Sequence, residues 1–204
     1  IEWFGGAVEC KHLVVAFPGD DGMDWDFGWR GKGQHWFVIM GTEVGNNAGE
    51  HDGASPDGQA PFSNPTIYNA TYIGSGLNAN ADNEFALLLR DNTGGTYANS
   101  IFTSFKDKAI SIEDLPNASG VDSYGNLLNG DLNLRSNVWW EFGAGNTLAD
   151  IVDTYATGDD PSSTEVINHL ANNGNQLADP SLGGISRIPN GLLDPRLNAG
   201  SPAL

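Results

Sequence analysis

Short apolar segments recur along the first part of the chain at a nearly constant spacing. Ile1-Glu2-Trp3 and His12-Leu13-Val14-Val15 are echoed by Met23-Asp24-Trp25 and His35-Trp36-Phe37-Val38, at an offset of about 22 to 23 residues. Glu50-His51-Asp52 repeats the first element once more. A repeat of this length is typical of one turn of a β-solenoid. The pattern therefore predicts an all-β fold, a right-handed parallel β-helix.

A second set of positions supports the same fold. Asn69, Asn99 and Asn137 each precede a segment rich in β-branched or aromatic residues. Asparagine tolerates the left-handed backbone of a tight turn, and its amide can bond to the same residue in the next turn. We predict that the three stack as an asparagine ladder. Asn69 and Asn117 also begin glycosylation sequons, of which Asn117, in a polar loop, is the better candidate.

The apolar positions of these repeats should form one continuous core inside the solenoid, because the side chains of a strand alternate between its two faces. The predicted contributors are Leu13, Val15, Phe37, Ile39, Ile67, Ile101 and Val138.

The tail has a different pattern. Over residues 147–156, Leu148, Ile151, Val152 and Tyr155 follow a helical spacing, and Ser162–Glu165 resembles a capping box before a second helix. The prolines in 179–182 and 194–197 disfavour regular strand ladders there. We expect rungs with inserted loops over 1–146, and two short helices with a Pro/Gly-rich tail over 147–204, packed on the solenoid.

The charge balance narrows the range of partners. Nine basic residues against 26 acidic ones give a formal charge of −17. Such a surface repels nucleic acid and anionic lipid and favours cations or neutral sugars. No apolar run is long enough to span a bilayer, so we expect no membrane insertion, and nothing in the sequence indicates an organic cofactor.

The densest group of acidic residues lies early in the chain, at Asp20, Asp21, Asp24 and Asp26. Rung stacking would bring further carboxylates close, Glu2 from the preceding rung and Glu50 or Asp52 from the following one, since neighbouring strands lie about 4.8 Å apart. A hard cation such as Ca²⁺ would relieve the repulsion, which makes these four residues candidate metal ligands. The alternative is a solvated or salt-bridged face, neutralised by Arg30 and Lys32.

The same residues allow a catalytic interpretation. Two carboxylates that face a groove can act as general acid and base on a glycosidic bond. Gly19-Asp20-Asp21 resembles one short motif of the β-helix polygalacturonases, which would make Asp20 and Asp21 catalytic. The histidine and Arg-x-Lys motifs of that family are missing here, so we treat catalysis as the alternative and a non-enzymatic role as the main prediction.

Aromatic residues are candidate sugar-binding platforms. Trp3 and Trp25 occupy matching repeat positions, which favours an internal stack. Trp29, between Gly28 and Arg30, is the candidate exposed platform, with Arg30 as its polar neighbour. Trp139 and Trp140 must point to opposite sides of a strand. His12 and His35 also match and could stack, coordinate a metal or fill a half-buried face.

Several stretches resemble a family of secreted right-handed β-helix proteins from Bacteroidota and related marine bacteria. They are Phe4–Val8, Gly19–Lys32, Pro65–Gly74 and Asp194–Ala203. The resemblance implies export and a right-handed β-helix, but it assigns no activity and no catalytic residue.

These observations predict an extracellular or bacterial cell-surface protein with a structural or binding role: a spacer, an adhesin or a filament subunit, binding glycan and stabilised by Ca²⁺. The alternative is a polysaccharide-processing enzyme that uses the acidic residues near Asp20. The first rung begins at Ile1 with no capping element before it. Either an N-terminal portion of the same polypeptide covers that edge, or copies of the chain pack head to tail.

Overall fold

The computed structural model describes residues 1–82, 85–116, 121–156, 158 and 160–204. Asn117 lies outside these residues, so its glycosylation stays a prediction. In the described part of the chain, no helix is long and apolar enough to cross a membrane.

The chain winds through successive turns of three short strands. The first three turns contain β1 (Glu2–Phe4), β2 (Glu9–Lys11), β3 (Val14–Ala16), β4 (Met23–Asp26), β5 (Lys32–Gln34), β6 (Phe37–Ile39), β7 (Gly49–Asp52), β8 (Thr66–Tyr68) and β9 (Thr71–Ile73). The next two contain β10 (Leu87–Arg90), β11 (Gly95–Ala98), β12 (Ile101–Phe105), β13 (Ile110–Glu113), α1 (Ser123–Asn129), β14 (Leu132–Arg135) and β15 (Val138–Phe142). The remaining elements are α2 (Leu148–Ile151), β16 (Val152–Tyr155), α3 (Thr164–Asn172), β17 (Gln176–Leu177), β18 (Leu182–Gly184) and β19 (Asp194–Leu197).

Equivalent strands of successive turns form three parallel sheets. Sheet A has the order β1-β4-β7-β10-β13-β16, sheet B has β2-β5-β8-β11-β14, and sheet C has β3-β6-β9-β12-β15-β17. The sequence repeat is also the structural register, since Trp3 pairs with Trp25 and Val14 with Phe37. The predicted parallel β-helix is confirmed.

The turn between sheets B and C needs a left-handed residue in every rung. His12, His35, Asn69, Asn99 and Ser136 occupy this position with φ between 52 and 58°. Asn69 and Asn99 are there as predicted, but Asn137 is not, because it lies one residue later. The predicted ladder is therefore wrong in its membership.

A different ladder is built one position further along the same turn. The Asn137 side-chain oxygen accepts a hydrogen bond from the backbone N–H of Ser100 at 2.9 Å, in the preceding rung. The Asn175 side-chain oxygen accepts in the same way from Asn137 at 3.2 Å, and Ser100 Oγ from Ala70 at 3.0 Å. These side chains satisfy backbone donors that the tight turn leaves without a strand partner.

The predicted core is right in sheet B and shifted by one residue in much of sheet C. Ile67 is in the core, and Leu13 and Val15 pack against it. Ile39, Ile101 and Val138 are buried as predicted, but together with the half-buried Phe37 they lie outside the main hydrophobic cluster, which contains their strand neighbours Val38, Phe102 and Trp139. A shift of one residue moves a side chain to the opposite face of a strand. Both faces of sheet C are apolar, so the alternation did not identify the inner one.

The tail departs from prediction in three places. The first predicted helix ends at Ile151, and Val152–Tyr155 instead forms β16, which pairs with β13. β-Branched and aromatic side chains suit this strand, and sheet pairing overrides the helical spacing. β16 and β17 thus extend sheets A and C beyond residue 146. The segments around Pro180 and Pro195, predicted to be irregular, contain the antiparallel pair β18 and β19.

The predictions for the other helices are also right only in part. The second predicted helix is confirmed as α3, which buries Val166 and Leu170. Ser163 makes no side-chain cap, and the Asp160 carboxylate accepts from the N–H of Glu165 at 2.8 Å instead. Helix α1 was not predicted, although Asp122 as its N-cap and Gly130 after its end are readable signals.

A chain of polar side chains crosses the aromatic core. His51 is fully buried and stacks on Trp25 at 3.4 Å, and its Nε2 lies 2.9 Å from the hydroxyl of Tyr97. That hydroxyl lies 3.0 Å from the hydroxyl of Tyr72. Burial lowers the pKa of His51 to about 3, so the imidazole is neutral and needs the hydroxyl as a partner.

Replacing Tyr97 by Phe should lower the free energy of unfolding by about 1–3 kcal/mol, because it leaves a buried nitrogen of His51 without a partner. Chemical denaturation measures the effect. Tyr68→Phe is the matched control, since the Tyr68 hydroxyl accepts from Arg135 at the surface. An equal loss in both variants would contradict the role of the buried network.

Candidate functional site

The outer face of sheet A carries the largest concentration of paired acidic residues. Glu2, Asp24 and Glu50 occupy directly paired positions on β1, β4 and β7, so they form one column along the helix axis. Asp52 and Arg90 pair in the neighbouring column. In-register parallel pairing repeats the same outward position at every turn, about 4.8 Å apart. We call this surface the acidic face.

Arg90 is the cation at the centre of the acidic face. Its Nε lies 2.6 Å from Asp52 Oδ1 and its Nη2 lies 3.1 Å from Oδ2, a bidentate pair. The same Nη2 lies 3.4 Å from Glu50 Oε1. One guanidinium therefore binds two carboxylates, and it leaves Asp24 without a cation in contact among the described residues.

Asp24 and Glu50 of the acidic face, and Glu113 on sheet A, hold their protons unusually tightly. Burial, together with the charges of Glu2 and Glu50, raises the pKa of Asp24 to about 8. Burial and the charge of Asp21 raise the pKa of Glu50 to about 7. On the next turns, burial and the charge of Asp91 raise the pKa of Glu113 to about 7. Near neutral pH the face therefore presents a mixture of carboxylic acids and carboxylates.

The four predicted metal ligands are not all brought together. Asp20 is exposed in the loop before β4, and Asp21 Oδ1 accepts from the backbone N–H of Asn47 at 2.7 Å. Asp24 lies opposite Glu50, and Asp26 Oδ1 accepts from the N–H of Phe27. Within the described ranges, no three His, Cys, Asp or Glu side chains are grouped so as to hold a metal ion.

The expected neutralising cations also lie elsewhere. Lys32 pairs with Glu9 at 2.9 Å on sheet B, and Arg30 donates to the carbonyl of Phe62 at 2.8 Å. Arg90, which belongs to none of the sequence motifs, takes their place. Its partner Asp52 lies 38 residues earlier in the chain, so only the pairing of β7 with β10 brings the two residues together.

The aromatic predictions have mixed outcomes. Trp29, the predicted ligand-binding platform, is fully buried and stacks on Trp3 at 4.7 Å, so it cannot contact a ligand at the surface. Its neighbour Arg30 is exposed and lies over the ring of Phe62. Trp139 and Trp140 do lie on opposite faces, with Trp140 exposed.

The two matching histidines stack on each other, which is the first of the three alternatives that the sequence left open. His12 and His35 stack with ring centroids 5.2 Å apart, and both are exposed.

The acidic face can act as a regular array of hydrogen-bonding groups. A protonated carboxyl both donates and accepts, whereas a carboxylate only accepts. The mixture of Asp24, Glu50 and Asp52 can therefore match hydroxyl groups in either role. The repeat along the axis is comparable to the length of one pyranose unit, so successive turns can address successive units of a linear polymer.

The raised pKa values predict an unusual pH dependence of stability. Between the ordinary pKa of Asp24, 3.8, and its folded value of about 8, the folded chain holds a proton that the unfolded chain has released. The free energy of unfolding should therefore fall as the pH rises through this range. Asp24→Asn should flatten the slope and stabilise the chain above pH 8.

Thermal melts across this pH range measure the effect, with Glu9→Gln, a carboxylate on sheet B, as the control. A slope in Asp24→Asn as steep as in the parent chain would contradict the assignment.

Comparison with known proteins agrees with the architecture. A family model described as a pectate-lyase-like β-helix domain matches residues 1–179, which contain all three parallel sheets. No curated protein and no solved structure matches the chain significantly. The family match covers most of the sequence, and the stacked parallel sheets are the fold that its description names. The chain therefore belongs to the family of pectate-lyase-like β-helix domains.

Proposed function

We propose that this chain is an extracellular, cell-surface β-helix protein that binds a polysaccharide along its acidic face. The observation that carries the proposal is the axial column of paired carboxyl groups, in which Asp24 and Glu50 hold protons near neutral pH. A periodic column of donors and acceptors suits a periodic, hydroxyl-rich polymer. The likeness to pectate lyases, which act on a polysaccharide, supports the same class of ligand.

The charge of the protein restricts that ligand. A formal charge of −17 disfavours anionic polymers unless cations bridge the two. Neutral polysaccharides meet no such barrier, because carboxylic acids and carboxylates both bond to hydroxyl groups. We therefore expect neutral chains to bind better than uronate chains in the absence of divalent cations.

A polysaccharide-processing enzyme is the second candidate, and the pKa values favour it. Asp24, with a pKa of about 8, can donate a proton at neutral pH, while the guanidinium of Arg90 opposes the rise in pKa that burial causes at Asp52. A carboxyl pair whose environments separate the two pKa values is the arrangement that general acid and base catalysis uses. This version places the chemistry at Asp24 and Asp52; the sequence had pointed to Asp20 and Asp21.

Binding can be tested on a panel of soluble neutral and uronate polysaccharides by affinity electrophoresis and calorimetry. Asp24→Asn and Glu50→Gln should each weaken binding by up to about tenfold, the loss expected when one hydrogen bond is removed. Glu9→Gln, a carboxylate on the outer face of sheet B, should leave it unchanged.

No binding to any polymer, or an equal loss in Glu9→Gln, would contradict the proposal. Reducing-end release and ultraviolet absorbance of unsaturated products, measured on the same samples, separate the two candidates. Turnover that disappears in Asp24→Asn would make the chain an enzyme.

A role for Ca²⁺ belongs to the same proposal. A cation bridging two neighbouring carboxylates of the column, which needs no group of three ligands, would replace the protons that Asp24 and Glu50 retain. A ligand that binds only the folded chain raises its stability, so excess EDTA should lower the melting temperature and added Ca²⁺ should restore it. An unchanged melting temperature would remove calcium from the proposal and leave polysaccharide binding untouched.

A further inference from the structure

A groove lies on another side of the solenoid, between the outer face of sheet C and the tail. It has a volume of about 520 Å³, within the range of small-molecule sites. Its chemically active lining residues are Ser104, Trp140, Glu141, Asp179 and Arg187. None of them belongs to the acidic face, which is formed by sheet A.

Strand alternation places the aromatic residue of the groove. Trp139 on β15 is fully buried and stacks on Phe102 at 4.4 Å, so its neighbour Trp140 must lie on the outer face. Trp140 is 36% exposed, whereas Trp25, Trp29, Trp36 and Trp139 are buried and Trp3 is partly buried. Trp140 is therefore the tryptophan whose ring is open to the groove.

The polar side of the groove is ordered by contacts between rungs and with the tail. Ser104 Oγ donates to the carboxylate of Glu141, which fixes that side chain across two neighbouring turns. Arg187, between β18 and β19, donates from Nε to the carbonyl of Gly74 at 2.9 Å. This bond attaches the tail to the solenoid, and the guanidinium lines the groove.

The lining selects a class of ligand. An aromatic face beside fixed carboxylates suits a sugar ring, which has an apolar face and hydroxyl groups around its edge. Glu141 and Asp179 accept from hydroxyl groups, and Arg187 donates to them. Two carboxylates against one guanidinium give the groove a negative balance, which disfavours uronates, sulfated sugars and phosphates.

We propose that this groove is a separate binding site for a neutral saccharide, with Trp140 as the stacking platform and Glu141, Asp179 and Arg187 as its hydrogen-bonding groups. The proposal does not depend on the acidic face. A neutral polymer that binds there would meet this groove as a second, independent site.

The test uses the full chain with neutral hexasaccharides of β-linked glucose, xylose and mannose as probes, and with hexagalacturonate and the chitosan hexamer as charged comparisons. Calorimetry and iodide quenching of tryptophan fluorescence report binding. Trp140 is the most exposed tryptophan, so a bound sugar should protect it from quenching.

Trp140→Ala should weaken binding of the best neutral probe about tenfold or more and abolish the protection. Trp140→Phe, which keeps an aromatic face, should retain part of the affinity. Glu141→Gln and Asp179→Asn should each weaken binding. Phe17→Ala, an exposed aromatic residue four turns away on the same side, is the matched control and should have no effect.

Three results would overturn the proposal: no neutral probe binds, Trp140→Ala binds as the parent does, or the chitosan hexamer or hexagalacturonate binds better than every neutral probe. Thermal melts of each variant exclude unfolding as the cause of a loss. The same measurements distinguish a failure of the groove proposal from a failure of the acidic-face proposal. Binding lost in Asp24→Asn but kept in Trp140→Ala contradicts the groove, and the reverse contradicts the acidic face.

Discussion

In-register hydrogen bonding between consecutive turns is the constraint on which the rest of this structure depends. Every strand of sheets A, B and C pairs in parallel with its equivalents in neighbouring turns, so each residue lies beside the residue at the same position one turn away. Inside the solenoid this stacking is favourable: Trp25 meets His51, and Phe102 meets Trp139. Outside, the same rule places like charges next to one another.

The acidic face is the consequence of that rule where the repeated residue is a carboxylate. Glu2, Asp24 and Glu50 cannot move apart without breaking the ladder of sheet A, so their repulsion is relieved by proton retention at Asp24 and Glu50. Arg90 supplies the alternative relief one turn further along, where it binds Asp52 and Glu50. In a solenoid, a residue type that recurs at one repeat position thus forms a continuous surface along the axis. Such a surface suits an extended ligand.

The groove arises in a different way, from the tail and not from the repeat. Sheet C is apolar on both faces, and its outer face needs a cover. Pro202, Ala203 and Leu204 line one cavity together with Ile101 and Val138, while Arg187 attaches the segment between β18 and β19 further along. The cover is incomplete at Trp140, where the groove opens.

The sequence predicted the features that depend on the repeat better than those that depend on contacts between distant residues. The repeat that relates Trp3 to Trp25 and His12 to His35 is a local property. It predicted the β-helix and the register of the first two turns, and it offered the histidine stack as one of three alternatives. The abundance of acidic residues was visible as well. α3 could be predicted because its apolar positions lie within one segment.

Other features could not be predicted, because they depend on loops of unequal length and on the pairing of strands between turns. Glu50 pairs with Leu88, 38 residues on, whereas Asp24 pairs with Glu50 only 26 residues away. No fixed period predicts both, so Arg90 was not predicted as the partner of Asp52, although rung stacking was expected to bring Glu2 and Glu50 or Asp52 near Asp24. Val152–Tyr155 has a helical spacing of apolar residues, yet the open edge of β13 makes it a strand. The sequence by itself determined the repeat, because the spacing of similar residues is a property of the chain alone. Which residues of neighbouring turns pair was decided only by the tertiary structure, because it depends on the lengths and paths of the loops between the strands.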